Sequence, residues 1–213
     1  MFVPTAVLML KAPVEGAVKT RLGRDIGPAA ATRAYRALVE HQLRQIPPAW
    51  RVHICYAPGG ALAAKRAWLA AKRAWLGDER GYSAEAGDLG ERLAVATAQH
   101  FERGGGPLVI LGSDCPYLSG ERLIEAEAAL ENADAAVAPA VDGGYCLIAL
   151  RRAEPDVFRA ISRSTDAVLA QTRQRLRERG LTCTELETAE DVDDGASWQR
   201  ARQAFPQLDV SAP

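Results

Sequence analysis

Residues able to do chemistry gather in this chain where apolar runs end. LVILGSDCPYL, Leu108 to Leu118, carries four apolar residues into Gly112 and then a carboxylate, Asp114. The run AAVAPAV stops at Asp142, and Gly143, Gly144 and Tyr145 follow. Later, LTCTELE leads into EDVDD, with Glu190, Asp191, Asp193 and Asp194. One basic exit stands against these acidic ones. The first apolar run gives way to KAPVEGAVKTRLGRDIG, which holds Lys11, Gly16, Lys19, Thr20, Arg21 and Arg24 ahead of a helical pattern. Carboxylate oxygens suit Mg2+ or Mn2+, usually one or two per ion with substrate phosphates completing the shell. Cations and backbone N–H groups ahead of a helix suit the phosphates themselves. Together they describe a site for a diphosphate-containing substrate and a divalent metal, with Asp114 as a candidate metal ligand.

Each piece also has a plainer reading. A solvated basic loop would have the composition of the first exit. Asp194 precedes a helical pattern and suits an N-cap. In GDLGER, Gly87 to Arg92, Asp88 reads as an N-cap with Glu91 three residues on, as in a capping box. Arg92 is left open to reach a phosphate. The basic loop is not a Walker loop, because G-K-[ST] is absent, and it is not G-x-G-x-x-G. No G-x-S-x-G elbow supports a hydrolase serine. His41, His53 and His100 fall in helix or strand patterns without ligand spacing and read as structural.

The elements that would position these residues alternate along the chain. AVLMLKAP, RVHICYAPGG, PLVILGSD and LTCTELE read as strands. AAVAPAVDGGYCLIAL gives two apolar runs without a helix between them, so an antiparallel or mixed element is expected there. Helices are expected in GPAAATRAYRALVEHQLRQIPP, over Ala61 to Leu76, and in DLGERLAVATAQHFERGGG. Others are expected in SGERLIEAEAALENA, opened by Ser119, in STDAVLAQTRQRLRERG, and after DVDD. A polar loop is expected between Leu76 and Asp88. Alternation argues for an α/β fold with a mostly parallel sheet and right-handed crossovers. Ligands of such sheets bind outside the carboxyl ends of the strands, which is why the exits matter. No linker breaks the pattern, so residues 1–213 read as one domain. The copies of AKRAWL, Ala64 to Leu69 and Ala71 to Leu76, read as a local duplication in a surface helix, or as a basic-aromatic docking face.

Composition sets bounds. Hydrophobic residues make up 48% and charged residues 25%, ordinary for a soluble globular protein. A formal net charge of -1 gives no basic bias toward nucleic acid. Cys55, Cys115, Cys146 and Cys183 form no C-x-x-C pair and read as reduced thiols. The apolar N-terminus is short and stops at Lys11, no run approaches a membrane span, and the expectation is a cytoplasmic protein.

KAPVEGAVKTRL, GDLGERL, LGSDCPYL, APAVDGGYCLIAL, STDAVLAQT and DVDD, in this order, resemble one family. It is a bacterial family of glycosyltransferase-A (GT-A) type labelled nucleotide-diphospho-sugar transferase, some of whose members are called arsenosugar-biosynthesis glycosyltransferases. The resemblance runs from about Leu8 to Trp198. VKTRL before a helix is also similar to phospholactate guanylyltransferases and molybdenum-cofactor-type nucleotidyltransferases, which share the fold. The resemblance implies a single-domain, Rossmann-like nucleotide-diphospho-sugar transferase fold with helices on both faces of the sheet. It implies phosphate contacts from Lys19 and Arg21, metal binding at Asp114, and a second metal ligand at Asp193. Asp142, Gly143, Gly144 and Tyr145 would border the sugar or acceptor. Arg163 stands where the family has tryptophan, and Ser197 where a further acidic residue is usual. Both departures would alter the acceptor pocket.

Three functions follow as expectations. The first is a Mg2+- or Mn2+-dependent glycosyltransferase using a nucleotide-diphospho-sugar and a small-molecule acceptor, with Asp142 as base. The second is a nucleotidyltransferase joining a nucleoside triphosphate to a phosphorylated small molecule. The third is a non-catalytic nucleotide-binding protein. No nucleic-acid partner is expected, and a homodimer is carried as one oligomeric state among those the sequence leaves open.

Overall fold

The computed structural model describes residues 2–56, 75–76, 80–84, 87–162 and 165–208. The first apolar run becomes β1 (Thr5–Leu10) and lies at the middle of the sheet. Ala6, Leu8 and Leu10 face one side and Val7 the other, and all four are buried. A strand covered on both faces reads as continuous apolar sequence rather than as an alternation. On one flank β1 pairs in parallel with β2 (Arg51–Tyr56), which pairs in parallel with β3 (Gly81–Ala84). On the other flank β1 pairs in parallel with β4 (Leu108–Leu111).

The seven-stranded sheet has the order β3-β2-β1-β4-β6-β5-β7, with β5 (Ala135–Pro139), β6 (Tyr145–Leu150) and β7 (Cys183–Glu185). β6 is antiparallel to both β4 and β5, and β7 is parallel to β5. Among the described strands only β6 is therefore reversed. The consecutive apolar runs around Asp142 form the antiparallel pair that the sequence suggested, and the turn between them opens at the same end of the sheet as the β1 and β4 exits.

Helices α1 (Thr20–Ile26), α2 (Pro28–Gln45), α3 (Leu89–Glu102), α4 (Gly120–Ala129), α5 (Val168–Glu178) and α6 (Gly195–Ala204) complete the layers. Tyr35 and Val39 of α2 and Leu123 and Ala126 of α4 join the core under one face. Leu93 of α3, Phe158 and Leu176 of α5 join the core under the other. A third cluster ties α1, α2 and α6 together through Leu22, Leu38 and Trp198. Helix ends follow the sequence signals. Pro28 occupies the first turn of α2, Asp88 and Glu91 form a capping box on α3, and the Ser119 hydroxyl accepts from Arg122 N.

Two expectations need correction. The stretch before Asp88 is not all loop, because Gly81–Ala84 forms an edge strand. It is too short to show a period, and its backbone pairing with β2 sets it. The basic exit is not all loop either, since α1 forms inside it despite Gly23. Its cost is met by packing Leu22 against α2 and α6 rather than by propensity.

The helix expected over Ala61 to Leu76 lies outside the described residues except for Trp75 and Leu76, which are helical. Trp75 Nε1 donates to Glu40 Oε1 at 2.6 Å, and the Arg36 guanidinium lies 4.7 Å above the ring. At this position the aromatic side chain meets the protein's own α2. Histidines serve structure: the Nε2 atoms of His41, His53 and His100 lie 3.0, 2.8 and 2.8 Å from Pro116 O, Ser83 Oγ and Gly106 O. All four cysteines are free thiols.

Candidate active site

The chain runs outward from β1 through β2 to β3, then returns to lay β4 on the other flank of β1. Loops leaving β1 and β4 therefore diverge and open a crevice, the usual ligand position in such sheets. A cleft of about 620 Å³ lies there, with Lys11, Lys19, Thr20, Arg21 and Arg92 on its walls. Asp114, Asp142, Asp191 and Asp193 line it as well. A cavity of similar size, about 660 Å³, lies at the other end of the sheet near Thr5, Arg51 and Gly81, and no carboxylate is among its described lining residues. Charge pattern, not volume, marks the first cleft as the candidate.

Two contacts bring the acidic exits together. Val192 N donates to Asp114 O at 2.9 Å, and Cys115 Sγ donates to Glu190 O at 3.2 Å. They hold residues 190–193 beside the end of β4. Asp114, Asp191 and Asp193 then each offer a carboxylate oxygen within 4.8 Å of the others. The Lys19 ammonium sits among them, 2.5 Å from Asp114 Oδ2 and 3.1 Å from Asp193 Oδ1. Its side chain is only 7% exposed. Burial works to lower its pKa, but the charges of Asp114 and Asp193 and hydrogen bonds to them outweigh burial and hold it above the ordinary lysine value. Asp191 moves the opposite way for a carboxylate: burial, then the like charges of Asp114, Asp193 and Asp142, push it up to about 6.

Lys19 reaches this position from a left-handed backbone, φ 47°, at the N-cap of α1. Such a conformation is uncommon without glycine and is concentrated at functional sites. Arg21, one residue into α1, lies at the exposed rim with Nη1 3.2 Å from Asp193 Oδ2. Thr20 and Lys11 line the cleft, and Arg92 is buried in its wall at 6% exposure. Gly16 has φ 74° in the preceding loop, is exposed, and is not among the residues lining the cleft.

Asp142 faces the same cleft but stands apart from the three clustered carboxylates. Its Oδ1 accepts from Gly144 N at 2.9 Å, which fixes the turn. Gly143 has φ 86°, and a Cβ there would lie 2.3 Å from Asp166 O. Only glycine fits between the turn and residue 166. Tyr145 opens β6 beside them.

Several contributors were hard to single out from sequence. Asp191 is one of four acids in EDVDD, and only the backbone bond to Asp114 separates it from Glu190 and Asp194. Tyr35 occupies a core-facing helical position, yet its hydroxyl accepts from Lys11 N at 3.0 Å and donates to Lys11 O at 3.2 Å. Burial raises the pKa of this phenol, so it stays a neutral donor. Thr165 and Asp166 also line the cleft. Ser197, a departure expected to alter the acceptor pocket, instead completes the capping box of α6 with Asp194 and is buried. Arg163 and Ser164 lie outside the described residues.

The donor set fits a hard divalent cation. Three carboxylates converge, and two of them, Asp114 and Asp193, already hold a cation, the Lys19 ammonium. Octahedral Mg2+ or Mn2+ with bonds of about 2.1 Å spans at most ~4.2 Å between trans oxygens. The 4.8 Å limit on the cluster therefore asks for only small side-chain adjustment.

Comparison with known proteins agrees with this architecture. Residues 41–165 match a family described as "Uncharacterized protein conserved in bacteria", DUF2064. The chain belongs to this family. A crystal structure from Desulfovibrio desulfuricans G20, described as a "putative nucleotide-diphospho-sugar transferase", is 31% identical. The match covers 98% of this chain and 97% of that one, with a TM-score of 0.82. Rv0371c from Mycobacterium tuberculosis H37Rv, solved in complex with manganese, is 16% identical over 96% and 100% of the two chains, TM-score 0.56. 4-Diphosphocytidyl-2C-methyl-D-erythritol synthase from Anaerococcus prevotii DSM 20548 is 8% identical over 96% and 99%, TM-score 0.60. The last two share the fold alone. No curated protein sequence matches. The fold is the α/β nucleotide-diphospho-sugar transferase fold, and its mostly parallel sheet agrees with the expectation from sequence. Among the described residues no helix is long and apolar enough to cross a membrane.

Proposed function

We propose that this protein is a metal-dependent transferase, one domain over residues 1–213, that moves a sugar from a nucleotide-diphospho-sugar to a small-molecule acceptor. The observation that carries the reading is the convergence of Asp114, Asp191 and Asp193, two of which hold the Lys19 ammonium, at the crevice between β1 and β4. The Desulfovibrio desulfuricans relative supports the donor class.

Asp114, Asp191 and Asp193 would hold Mg2+ or Mn2+, which stabilises negative charge on a leaving diphosphate. Lys19 and Arg21, which stand beside these carboxylates, turn to phosphate oxygens when the metal takes their place, and Lys11, Thr20 and Arg92 line the same cleft. Asp142 accepts the proton of the acceptor hydroxyl as its oxygen bonds to the anomeric carbon and the diphosphate oxygen departs. Gly143 and Gly144 let the turn approach the sugar, and Tyr145 borders it.

Thermal unfolding with UDP-, GDP-, CDP-, ADP- and dTDP-sugars, with and without Mn2+, tests this. A ligand at ~100 times its Kd adds about 2.7 kcal/mol, or roughly 5–10 °C for a chain of this size. The expected result is a Mn2+-dependent shift with one donor that Asp114→Asn abolishes. A shift indifferent to metal and to Asp114→Asn would refute the reading. The cluster of Lys19, Arg21 and Arg92 in one cleft favours a second reading, transfer of a nucleotidyl group from a triphosphate. Release of pyrophosphate on adding a phosphorylated acceptor would establish it in place of the first.

A further inference from the structure

Beyond the shared carboxylate wall the cleft continues into a smaller compartment of about 180 Å³. Its character changes abruptly. Leu89, Leu93, Ile110 and Val168 line it, from the starts of α3 and α5 and from β4, with Tyr145 at the start of β6. Asp114, Asp142 and Asp191 stand on the wall common to both spaces. Among the described lining residues of the compartment there is no lysine, arginine or histidine. The cations all lie on the other side of that wall.

This arrangement sorts ligands by charge. An anionic group is favoured against Lys11, Lys19, Arg21 and Arg92, and is opposed in the compartment, where carboxylates and apolar side chains offer it no partner. A moiety with an apolar ring or alkyl face is favoured there, because burying it removes apolar surface from water. The volume limits its size. A cavity of about 150 Å³ holds one benzene ring, so 180 Å³ admits a six-membered ring carrying a short substituent. A hydroxyl on that substituent would face Asp142.

We infer that the acceptor of this transferase is a small, uncharged alcohol with an apolar face, bound in the compartment lined by Leu89, Leu93, Ile110 and Val168, and that phosphorylated acceptors are excluded from it. The inference rests on the transfer reading above and deepens it, since it favours glycosyl transfer to an alcohol over nucleotidyl transfer to a phosphate.

Methyl-resolved NMR of the whole protein, without metal, tests it with two probes that differ by one phosphate: benzyl alcohol and benzyl phosphate. Benzyl alcohol should shift the methyl signals of Leu89, Leu93, Ile110 and Val168 and bind at least tenfold more tightly there than benzyl phosphate. Val168→Phe, which fills the space, should weaken benzyl alcohol at least tenfold. Leu89→Asp does so by charging a position that is 41% exposed, and so serves where the filled variant does not fold. Equal or tighter binding of benzyl phosphate at these methyls would overturn the inference. So would benzyl alcohol binding that neither variant weakens. Adenosine, guanosine, cytidine or uridine shifting the same methyls more strongly than benzyl alcohol would assign the compartment to the donor's base and overturn it too. These readouts are independent of metal-dependent nucleotide binding, so failure of the transfer reading and failure of this inference give different patterns.

Discussion

Replacing Lys19 with methionine keeps the length and apolar stem of the side chain and removes its charge. Asp114 loses its ammonium partner at 2.5 Å, and Asp193 loses one at 3.1 Å while keeping Arg21 at 3.2 Å. Removing one member of a fully buried ion pair costs about 3–5 kcal/mol, because the remaining charge stays in a poor dielectric. Here the lysine side chain is 7% exposed, but Asp114 and Asp193 keep 31% and 39% exposure, so water screens what remains. About half the buried figure, ~2 kcal/mol, is the reasonable expectation. That corresponds to a fall in Tm of roughly 4–8 °C for a chain of this size. The same quantity acts in reverse on metal. On the proposed function, a divalent cation must first displace the ammonium from Asp114 and Asp193, whereas in Lys19→Met it meets carboxylates freed of that ammonium, with Arg21 alone still on Asp193. Relief of ~2 kcal/mol is about a 30-fold gain in Mn2+ affinity without nucleotide. Calorimetric titration of Mn2+, paired with thermal unfolding, reads both effects, and Mn2+ should restore the lost Tm. Unchanged Tm with unchanged or weaker Mn2+ binding would refute the assignment of these carboxylates as a cation site that Lys19 fills.

Other expectations concern the scaffold. Asp134 is 8% exposed and accepts from Thr182 N and Oγ1 and from Arg151 Nη2, and these hydrogen bonds hold its pKa at about 2. Since the folded value lies below the unfolded one, its contribution, up to about 2 kcal/mol, is complete above pH ~4 and vanishes as pH falls through ~2. Asp134→Asn should lose that stability at pH 7 in urea unfolding and show a flatter acid limb; an unchanged limb would refute it. Gly143→Ala combines φ 86° with a Cβ 2.3 Å from Asp166 O, so it should cost at least about 1–2 kcal/mol by the same assay. Tyr35→Phe should lower stability by about 1 kcal/mol and loosen Lys11, weakening nucleoside diphosphate binding in a titration without changing Mn2+ affinity. Equal nucleotide affinity in Tyr35→Phe would remove Tyr35 from the site.

What the sequence made legible was where strong local signals agree with tertiary ones. Asp114 stands out because four apolar residues, Gly112 and Pro116 mark the end of a core strand, and core strand ends carry ligands in parallel sheets. The turn at Asp142 is legible through its glycines, and the caps at Asp88, Ser119 and Asp194 through side chains that satisfy free N–H groups. What stayed hidden depends on partners far along the chain. β3 is four residues with no period, formed because β2 offers an unpaired edge. α1 is seven residues around Gly23, held by contacts with α2 and α6. Asp191 looks like its acidic neighbours until Val192 binds the backbone of Asp114. Tyr35 reads as packing because nothing local shows that its hydroxyl ends at Lys11.

The contact between Lys19 and Asp193 spans 174 residues. During synthesis at about 5–20 residues per second, the lysine is made roughly 10–35 s before the aspartate that completes its environment. Asp114 follows Lys19 by 95 residues, so the two coexist without Asp193 for only the later part of that interval, and until Asp191 and Asp193 are made the nascent chain has no three-carboxylate cluster. The carboxylate cluster is thus completed only as synthesis nears α6, once the strands that precede Asp191 have already been made. A ribosome stalled before that point would leave a polypeptide that carries Lys19 and Asp114 but lacks the two later carboxylates of the cluster.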